Sequence, residues 1–133
     1  MIVLDTHVLV WWVNGDSQLS ENARAAIEHE QKAENGLILI SAISAWEVAM
    51  LIEKGRLALS MSVDDWLDVV AEIESVRFVP LDVAVGVQAT RLPGDFHKDP
   101  ADRMIVSLAR HLNAPLVTAD EKIRAYKHVR SIW

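Results

Sequence analysis

The chain has 133 residues, of which 51% are hydrophobic and 24% charged, with a formal net charge of −6 and no cysteine. This length and composition are typical of one globular domain with a substantial core, and they exclude a disordered chain, disulfides and thiolate metal sites. The negative net charge argues against an extended, positively charged surface that binds nucleic acid, because affinity for phosphates comes from Lys and Arg. A small local cluster of basic residues is still compatible with the negative net charge.

Targeting signals are also lacking in the sequence. No apolar run approaches the roughly 20 residues that span a bilayer. The segment Met1-Ile2-Val3-Leu4-Asp5 begins at once with strand-like residues and has no basic stretch, unlike a signal peptide. We therefore expect a soluble, cytoplasmic protein that does not bind membranes.

The first half of the chain alternates short apolar runs with amphipathic segments. Thr6 is the predicted cap of the first helix, which Asn14-Gly15 ends, and Ser20 is a good N-cap for the second. In chain order, the patterns predict a strand at 2–4, a helix at 6–13, a helix at 21–35, a strand at 37–40 and a helix at 44–54.

The second half continues the same alternation. Ser62 is the predicted cap of a helix whose buried face carries Trp66, Val69 and Val70. After it we predict a strand at 76–81, a helix at 82–91, a helix from Pro100, a strand at 115–118 and a short edge strand at 129–132. Because strands alternate with helices, residues 1–133 should form a single three-layer α/β/α sandwich around a central, mostly parallel sheet.

Four acidic residues lie where a strand ends or a helix begins: Asp5, Glu47, Asp102 and Asp120. In open parallel sheets, ligands bind outside the carboxyl ends of the strands, and Asp5 and Asp120 each follow a predicted strand. Carboxylates gathered at one point repel one another unless a cation neutralises them. The pattern therefore indicates a divalent-metal site.

Each acid also has an ordinary structural explanation, since acids are common in turns and helix caps. Ser44 through Glu47 matches a capping box, and Asp99 suits the N-cap of a helix in which Pro100 comes first and Asp102 faces the positive helix end. However, Glu47 has apolar helical neighbours and Asp102 borders an apolar stripe. A buried carboxylate requires a compensating cation.

Four segments of the sequence resemble the PIN-domain family, and their order and spacing cover nearly the whole chain. Within that family, the compact single-domain form resembles the VapC-type toxins of type II toxin–antitoxin pairs. The four segments are Ile2-Val3-Leu4-Asp5-Thr6-His7-Val8-Leu9, Ser41-Ala42-Ile43-Ser44-Ala45-Trp46-Glu47-Val48, His97-Lys98-Asp99-Pro100-Ala101-Asp102-Arg103-Met104-Ile105 and Leu116-Val117-Thr118-Ala119-Asp120.

This resemblance implies an Mg²⁺-dependent endoribonuclease that cleaves RNA phosphodiester bonds, with Mn²⁺ as a substitute, a small antitoxin as partner and a homodimeric assembly. It implies that Asp5, Glu47, Asp102 and Asp120 form the catalytic pocket. The direct metal ligands would be Asp5 and Asp102, with Asp120 bound directly or through water. Glu47 would bind or activate metal-bound water, and Asp99 is a second candidate in the loop before Asp102. The candidate substrate-binding residues are Thr6, Ser41 and Arg103.

Several other residues have open assignments at this stage. His7 and His97 could act in acid–base catalysis, but metal-bound water makes neither necessary. Trp11 and Trp12 are adjacent on one helix and are not expected to face the same core, so one of them is a candidate interface residue. The basic residues expected to offset the negative charge near the pocket are Lys54, Arg56, Arg91, Lys98 and Arg103.

Two kinds of alternative were weighed against the nuclease. Phosphate-handling α/β proteins fit poorly: a receiver domain needs an acidic pair after its first strand, and a haloacid dehalogenase-type phosphatase needs a second Asp where His7 stands. The other alternative is a non-catalytic PIN-like binding module that uses the acidic pocket for a cation and a protein partner. Such a module would be stabilised by Mg²⁺ but would leave RNA intact.

Overall fold

The central sheet contains five short parallel strands. The computed structural model describes all residues, Met1–Trp133. The strands are β1 (Ile2–Leu4), β2 (Ile38–Ser41), β3 (Val76–Val79), β4 (Leu116–Val117) and β5 (Ser131–Ile132). Their order across the sheet is β3-β2-β1-β4-β5, with Val3 of β1 opposite Leu39 on one side and Leu116 on the other. The first strand of the chain is therefore the centre of the sheet.

Seven helices cover the two faces of this sheet. Helices α1 to α4 contribute to one apolar cluster and α5 to α7 to another, so the molecule has three layers. This arrangement confirms the predicted α/β/α sandwich, and the sheet is entirely parallel. The helices are α1 (Thr6–Asn14), α2 (Glu21–Lys32), α3 (Ala42–Glu53), α4 (Val63–Glu72), α5 (Val83–Ala89), α6 (Pro100–His111) and α7 (Glu121–Arg124).

The helix beginnings differ from the sequence prediction at two points that matter for the site. Asp5, not Thr6, is the N-cap of α1 and accepts a hydrogen bond from the Thr6 backbone N–H. Likewise α3 has Ser41 as its cap, three residues before Ser44, the cap expected from the capping box, so Ser44 lies inside the helix. Both shifts turn a predicted cap into a helical residue whose hydroxyl is free for other contacts.

Some details of the helices were also predicted wrongly. Helix α2 ends at Lys32 rather than Asn35, and Gly36 packs so tightly that a Cβ would come 1.7 Å from the Glu30 carbonyl oxygen. Val69 is exposed instead of facing the core. The short helix α7 was not predicted, because four residues are too few for a periodic apolar pattern.

The two adjacent indoles of α1 also depart from expectation. Trp11 and Trp12 are both partly buried and both pack at the margin of the apolar cluster formed with α1 to α4. Large rings extend sideways from a helix, so two neighbouring positions can contact the same apolar cluster.

No helix of the structure combines the length and the apolar character that a membrane-spanning helix needs.

Candidate metal-dependent nuclease site

The four predicted acids line one cleft of about 280 Å³. Asp5 follows β1, Glu47 lies in the second turn of α3, Asp102 lies in the first turn of α6, and Asp120 caps α7. The parallel sheet explains this convergence, because β1 and β4 are neighbours and both end at the same edge. Residues distant in the sequence therefore share one concave surface.

Asp5 is held rigidly at the bottom of the cleft. It is only 3% exposed, and its Oδ1 accepts the Thr6 N–H at 2.8 Å. Its Oδ2 accepts the Thr118 hydroxyl at 2.7 Å, and the Thr118 Oγ1 in turn accepts the Asp120 N–H at 3.0 Å. One buried hydroxyl thus links the acid after β1 to the acid after β4, which fixes both in position.

Glu47 is oriented by the first residue of α1. The Thr6 hydroxyl donates to Glu47 Oε1 at 2.5 Å, and the Ser44 hydroxyl lies 2.9 Å from the same Thr6 oxygen. The capping box, which was the structural alternative for Glu47, does not form, since the Glu47 carboxylate reaches across to α1. This contact directs Glu47 into the cleft.

Burial and neighbouring charges raise the pKa of two of the four acids, Glu47 and Asp102. Burial, followed by the charges of Asp5, Asp99, Asp120 and Glu47, raises the pKa of Asp102 to about 7. Burial also raises the pKa of Glu47; the Thr6 hydroxyl opposes that change, and the charges of Asp5 and Asp99 add to it. A pocket that makes ionisation of its acids costly is one in which a bound cation is stabilising.

The donor set fits a hard divalent cation. Carboxylate oxygens are the ligands that Mg²⁺ prefers, and it keeps several waters rather than requiring a complete protein cage. No group of three or more acidic or His side chains already stands in a metal-binding arrangement. Loading therefore requires small side-chain movements within the cleft, for which the partly exposed Asp102 and Asp120 are suited.

The two histidines near the acids have different surroundings. His7 Nε2 accepts the Ala119 backbone N–H at 2.9 Å, so its proton is on Nδ1, 3.6 Å from Asp5 Oδ2. His97 Nε2 lies 3.1 Å from Asp102 Oδ2, but it is out of line for a hydrogen bond and has no other partner. His7 therefore has a structural role here, while His97 is next to the Asp102 carboxylate.

Two of the three predicted substrate-binding residues do not line the cleft. Ser41 is 1% exposed, and its hydroxyl accepts the Ile43 N–H as the cap of α3. The Arg103 guanidinium instead donates to the backbone carbonyls of Ala89, Phe96 and His97. Thr6 alone of the three lies in the cleft.

The other acidic and basic candidates are also placed by the structure. Asp99 caps α6 by accepting the Asp102 N–H at 2.9 Å, and it borders a neighbouring apolar cavity rather than the cleft. Among the basic residues, Arg56 lines the cleft, whereas Arg91 lies in a separate groove. Lys54 and Lys98 are exposed and line neither cavity.

Sequence reasoning missed the hydroxyls that organise the acids. Thr118 was given no role, and Ser44 was considered only as a helix cap, although each is completely buried and each contacts the acidic network. The available signal was a polar residue ending an apolar strand two positions before Asp120, and a Ser one turn before Glu47. Both patterns also occur at ordinary helix caps, which explains why they were not distinguished.

Known solved structures share this fold. The chain matches the VapBC2 complex of Rickettsia felis bound to a promoter DNA fragment with a TM-score of 0.70, at 20% identity, covering 98% of this chain and 97% of the other. It matches VapC20 of Mycobacterium tuberculosis, described as a toxin that cleaves the sarcin–ricin loop, with a TM-score of 0.63, at 13% identity, covering 98% of this chain and 99% of the other. These likenesses establish the fold.

Sequence comparison gives the family. Ribonuclease VapC22 of Mycobacterium tuberculosis is 37% identical over 134 residues, which cover 99% of this chain and 98% of the relative. The PIN domain model matches residues 2–129, a span that includes all four acids of the cleft. On this evidence, the chain belongs to the PIN-domain family.

Proposed function

We propose that this protein is an Mg²⁺-dependent endoribonuclease and the toxin of a type II toxin–antitoxin pair. The observation that carries the proposal is the meeting of Asp5, Glu47, Asp102 and Asp120 in one cleft, with the pKa values of Glu47 and Asp102 raised. The similarity to Ribonuclease VapC22 supports RNA as the substrate class. Mn²⁺ is expected to substitute for Mg²⁺, since it also takes oxygen ligands.

The chemistry follows from what each side chain does in the cleft. Asp5, Asp102 and Asp120 would hold the metal ion, and the Thr118 hydroxyl orients two of these acids. When bound, Mg²⁺ supplies an activated water and stabilises negative charge on the scissile phosphate. Glu47, which accepts a hydrogen bond from the Thr6 hydroxyl, would serve as the general base that takes up a proton during hydrolysis.

We also propose that the protein binds a cognate antitoxin and forms a homodimer. The matched structure from Rickettsia felis is a VapBC complex, which supports an antitoxin as the partner. Trp46 is 55% exposed beside an apolar cavity, and a second subunit would cover such a ring. The cytoplasmic location expected from the sequence stays a prediction.

The test is cleavage of total cellular RNA by purified, antitoxin-free protein. Discrete cuts should form with Mg²⁺, disappear with EDTA, and disappear in the Asp5→Asn and Asp102→Asn variants. Asp68→Asn is the matched control, because Asp68 is an exposed acid on α4 away from the cleft. This control should cut like the wild type.

The binding-module alternative gives a different result in the same experiment. In that case Mg²⁺ would raise the melting temperature of the wild type and not of the Asp5→Asn variant, while all RNA stayed intact. If cutting persists equally in EDTA and in both acid variants, the acidic cleft is not the nuclease site. Either result would overturn the proposed mechanism.

A further inference from the structure

Positive charge is concentrated in the last third of this acidic chain. Residues 1–90 contain five Lys and Arg against 14 Asp and Glu, whereas residues 91–133 contain eight against five. The second segment is therefore positive by three charges, even though it contains two of the four acids of the cleft. Such a separation of charge creates a local electric field that attracts anions, in a protein whose overall charge is negative.

Three adjoining cavities bring many of these cations together. One of about 410 Å³ lies between the 94–97 loop and α7, and it shares Lys127 and His128 with a second of about 370 Å³. The second shares Arg110 with a third of about 150 Å³. We name their cationic lining the basic band, which consists of Arg91, Arg110, Lys122, Lys127 and Arg130.

The charges of the basic band are free of carboxylate partners. The structure contains four close contacts between a basic nitrogen and a carboxylate oxygen, and none of them involves a residue of the band. Asp95 is the one carboxylate among all the lining residues of the three cavities. Arg110 and Arg130 each donate to a backbone carbonyl, of His128 and Asn113 respectively, which fixes their guanidinium groups without neutralising them.

A line of aromatic rings connects the basic band to the acidic cleft. His97, whose Nε2 lies 3.1 Å from Asp102, has its ring centroid 4.4 Å from that of Phe96. Phe96 contacts Tyr126 at 4.8 Å, and Tyr126 contacts His128 at 5.3 Å. Phe96, His97 and His128 are partly exposed, so their ring surfaces are accessible along this line.

We propose that the basic band is the track along which the single-stranded RNA substrate leaves the acidic cleft, an inference that rests on the proposed function. Unpaired cations beside accessible aromatic rings are the combination that binds single strands, through phosphates and stacked bases. The band draws on residues from the turn after α5, the last turn of α6, α7 and the segment before β5, and its three cavities share lining residues, so they form one continuous surface. An acidic protein partner would use the cations but would gain less from the rings.

Binding of RNA without cleavage tests this proposal directly. The probe is a fluorescein-labelled, 12-nucleotide single-stranded RNA, titrated by anisotropy in EDTA. Lys122→Gln/Lys127→Gln should weaken binding about tenfold and reduce the magnitude of the salt slope by about 1.4, because two phosphate contacts are lost. Arg24→Gln/Lys32→Gln on α2 is the matched control and should bind like the wild type.

Cleavage supplies a second readout for the same variants. With an RNA that the wild type cuts, the Lys122→Gln/Lys127→Gln variant should raise KM about tenfold and leave kcat unchanged, since neither lysine contacts the acids. Failure of the wild type to cut any RNA would refute the proposed function, whereas the anisotropy result would still decide the role of the band.

Two results would overturn the proposal itself. One is equal RNA affinity of the band variant, the control variant and the wild type. The other is binding of a labelled 12-residue poly-glutamate peptide as tightly as the RNA, with the same loss in the band variant. That second outcome would assign the band to an acidic protein partner.

Discussion

The protonation of Asp102 couples the stability of the metal-free protein to pH. Its pKa is about 7 in the folded chain against a usual value near 3.8, so the folded state retains a proton that the unfolded chain loses. The stability of the metal-free protein should therefore fall as pH rises from about 4 to 7 and then level off. Below pH 7, protons should compete with Mg²⁺ for this carboxylate.

Asp102→Asn should remove much of this pH dependence and stabilise the metal-free protein at high pH. We expect its gain over the wild type, measured by urea unfolding in EDTA, to be on the order of a few kcal/mol at pH 8 and much smaller at pH 5. Asp68→Asn should give the same small difference at both pH values. Parallel stability profiles for wild type and Asp102→Asn would contradict the prediction.

Thr118 is the residue whose hydroxyl joins two acids. Thr118→Val should cost about 2 kcal/mol of unfolding free energy, because the buried Asp5 Oδ2 and the Asp120 N–H each lose their hydrogen bond, although Asp5 Oδ1 keeps the Thr6 N–H. It should also weaken Mg²⁺ binding tenfold or more, as loss of a group that orients a metal ligand commonly does. Calorimetric titration and urea unfolding measure the two effects, and Thr118→Ser, which keeps the hydroxyl, should restore most of both.

For single residues, the sequence predicts the acids of the cleft better than the hydroxyl groups that hold those acids in place. Asp5 and Asp120 follow strands that end at one edge of a sheet, so topology alone brings them together. The hydroxyl of Thr118 is different, because its role depends on a contact with a residue 113 positions away. The pattern of residues around Thr118 in the sequence therefore does not reveal its hydrogen bond to Asp5.

At the scale of helices and loops, the loop before α6 is held in place by the side chain of Arg103. Arg103 donates to the carbonyls of Ala89, Phe96 and His97, and its guanidinium lies 6.0 Å from the centroid of the Phe96 ring. The prediction that Arg103 binds substrate has no support in this geometry. Instead, the side chain connects the end of α5 to the loop that carries His97.

Arg103→Met should therefore loosen this loop. We expect a loss of about 3 kcal/mol in unfolding free energy, since three carbonyls lose a charged donor, and faster amide exchange over residues 90–98. Arg24→Met, which removes an exposed ion pair with Glu21, should change stability by about 0.5 kcal/mol or less. Unchanged amide exchange in Arg103→Met would show that the loop has another anchor.

The elements themselves were predictable to within a few residues. Apolar runs gave β1, β2 and β4 because buried parallel strands are continuously hydrophobic. The errors in the prediction lie at the beginnings of helices, where two nearby polar residues could each serve as the N-cap. Asp5 is the cap of α1 instead of Thr6, and Ser41 is the cap of α3 instead of Ser44. These choices depend on tertiary contacts, since the hydroxyls not used as caps bind the acidic network.

At the scale of the whole molecule, the proposed homodimer should depend on Trp46. This ring is 55% exposed beside a cavity lined by Ile43, Met50 and Pro100, and exposed Trp is a common interface anchor. Trp46→Ser should weaken dimerisation by about 2 kcal/mol, or about 30-fold in Kd, in sedimentation equilibrium. Met61→Ser, at another exposed apolar residue, is the control, and equal dissociation of both variants would exclude Trp46 from the interface.

The position of β1 at the centre of the sheet also governs when the cleft is assembled during translation. Asp5 is made early, but its partner Thr118 follows 113 residues later, roughly 6 to 20 s at ordinary rates of synthesis. Until then β1 lacks its β4 neighbour, and the cleft lacks Asp120. A ribosome making this chain is thus exposed to the complete acidic cleft only after the segment with Thr118 and Asp120 has also been synthesised.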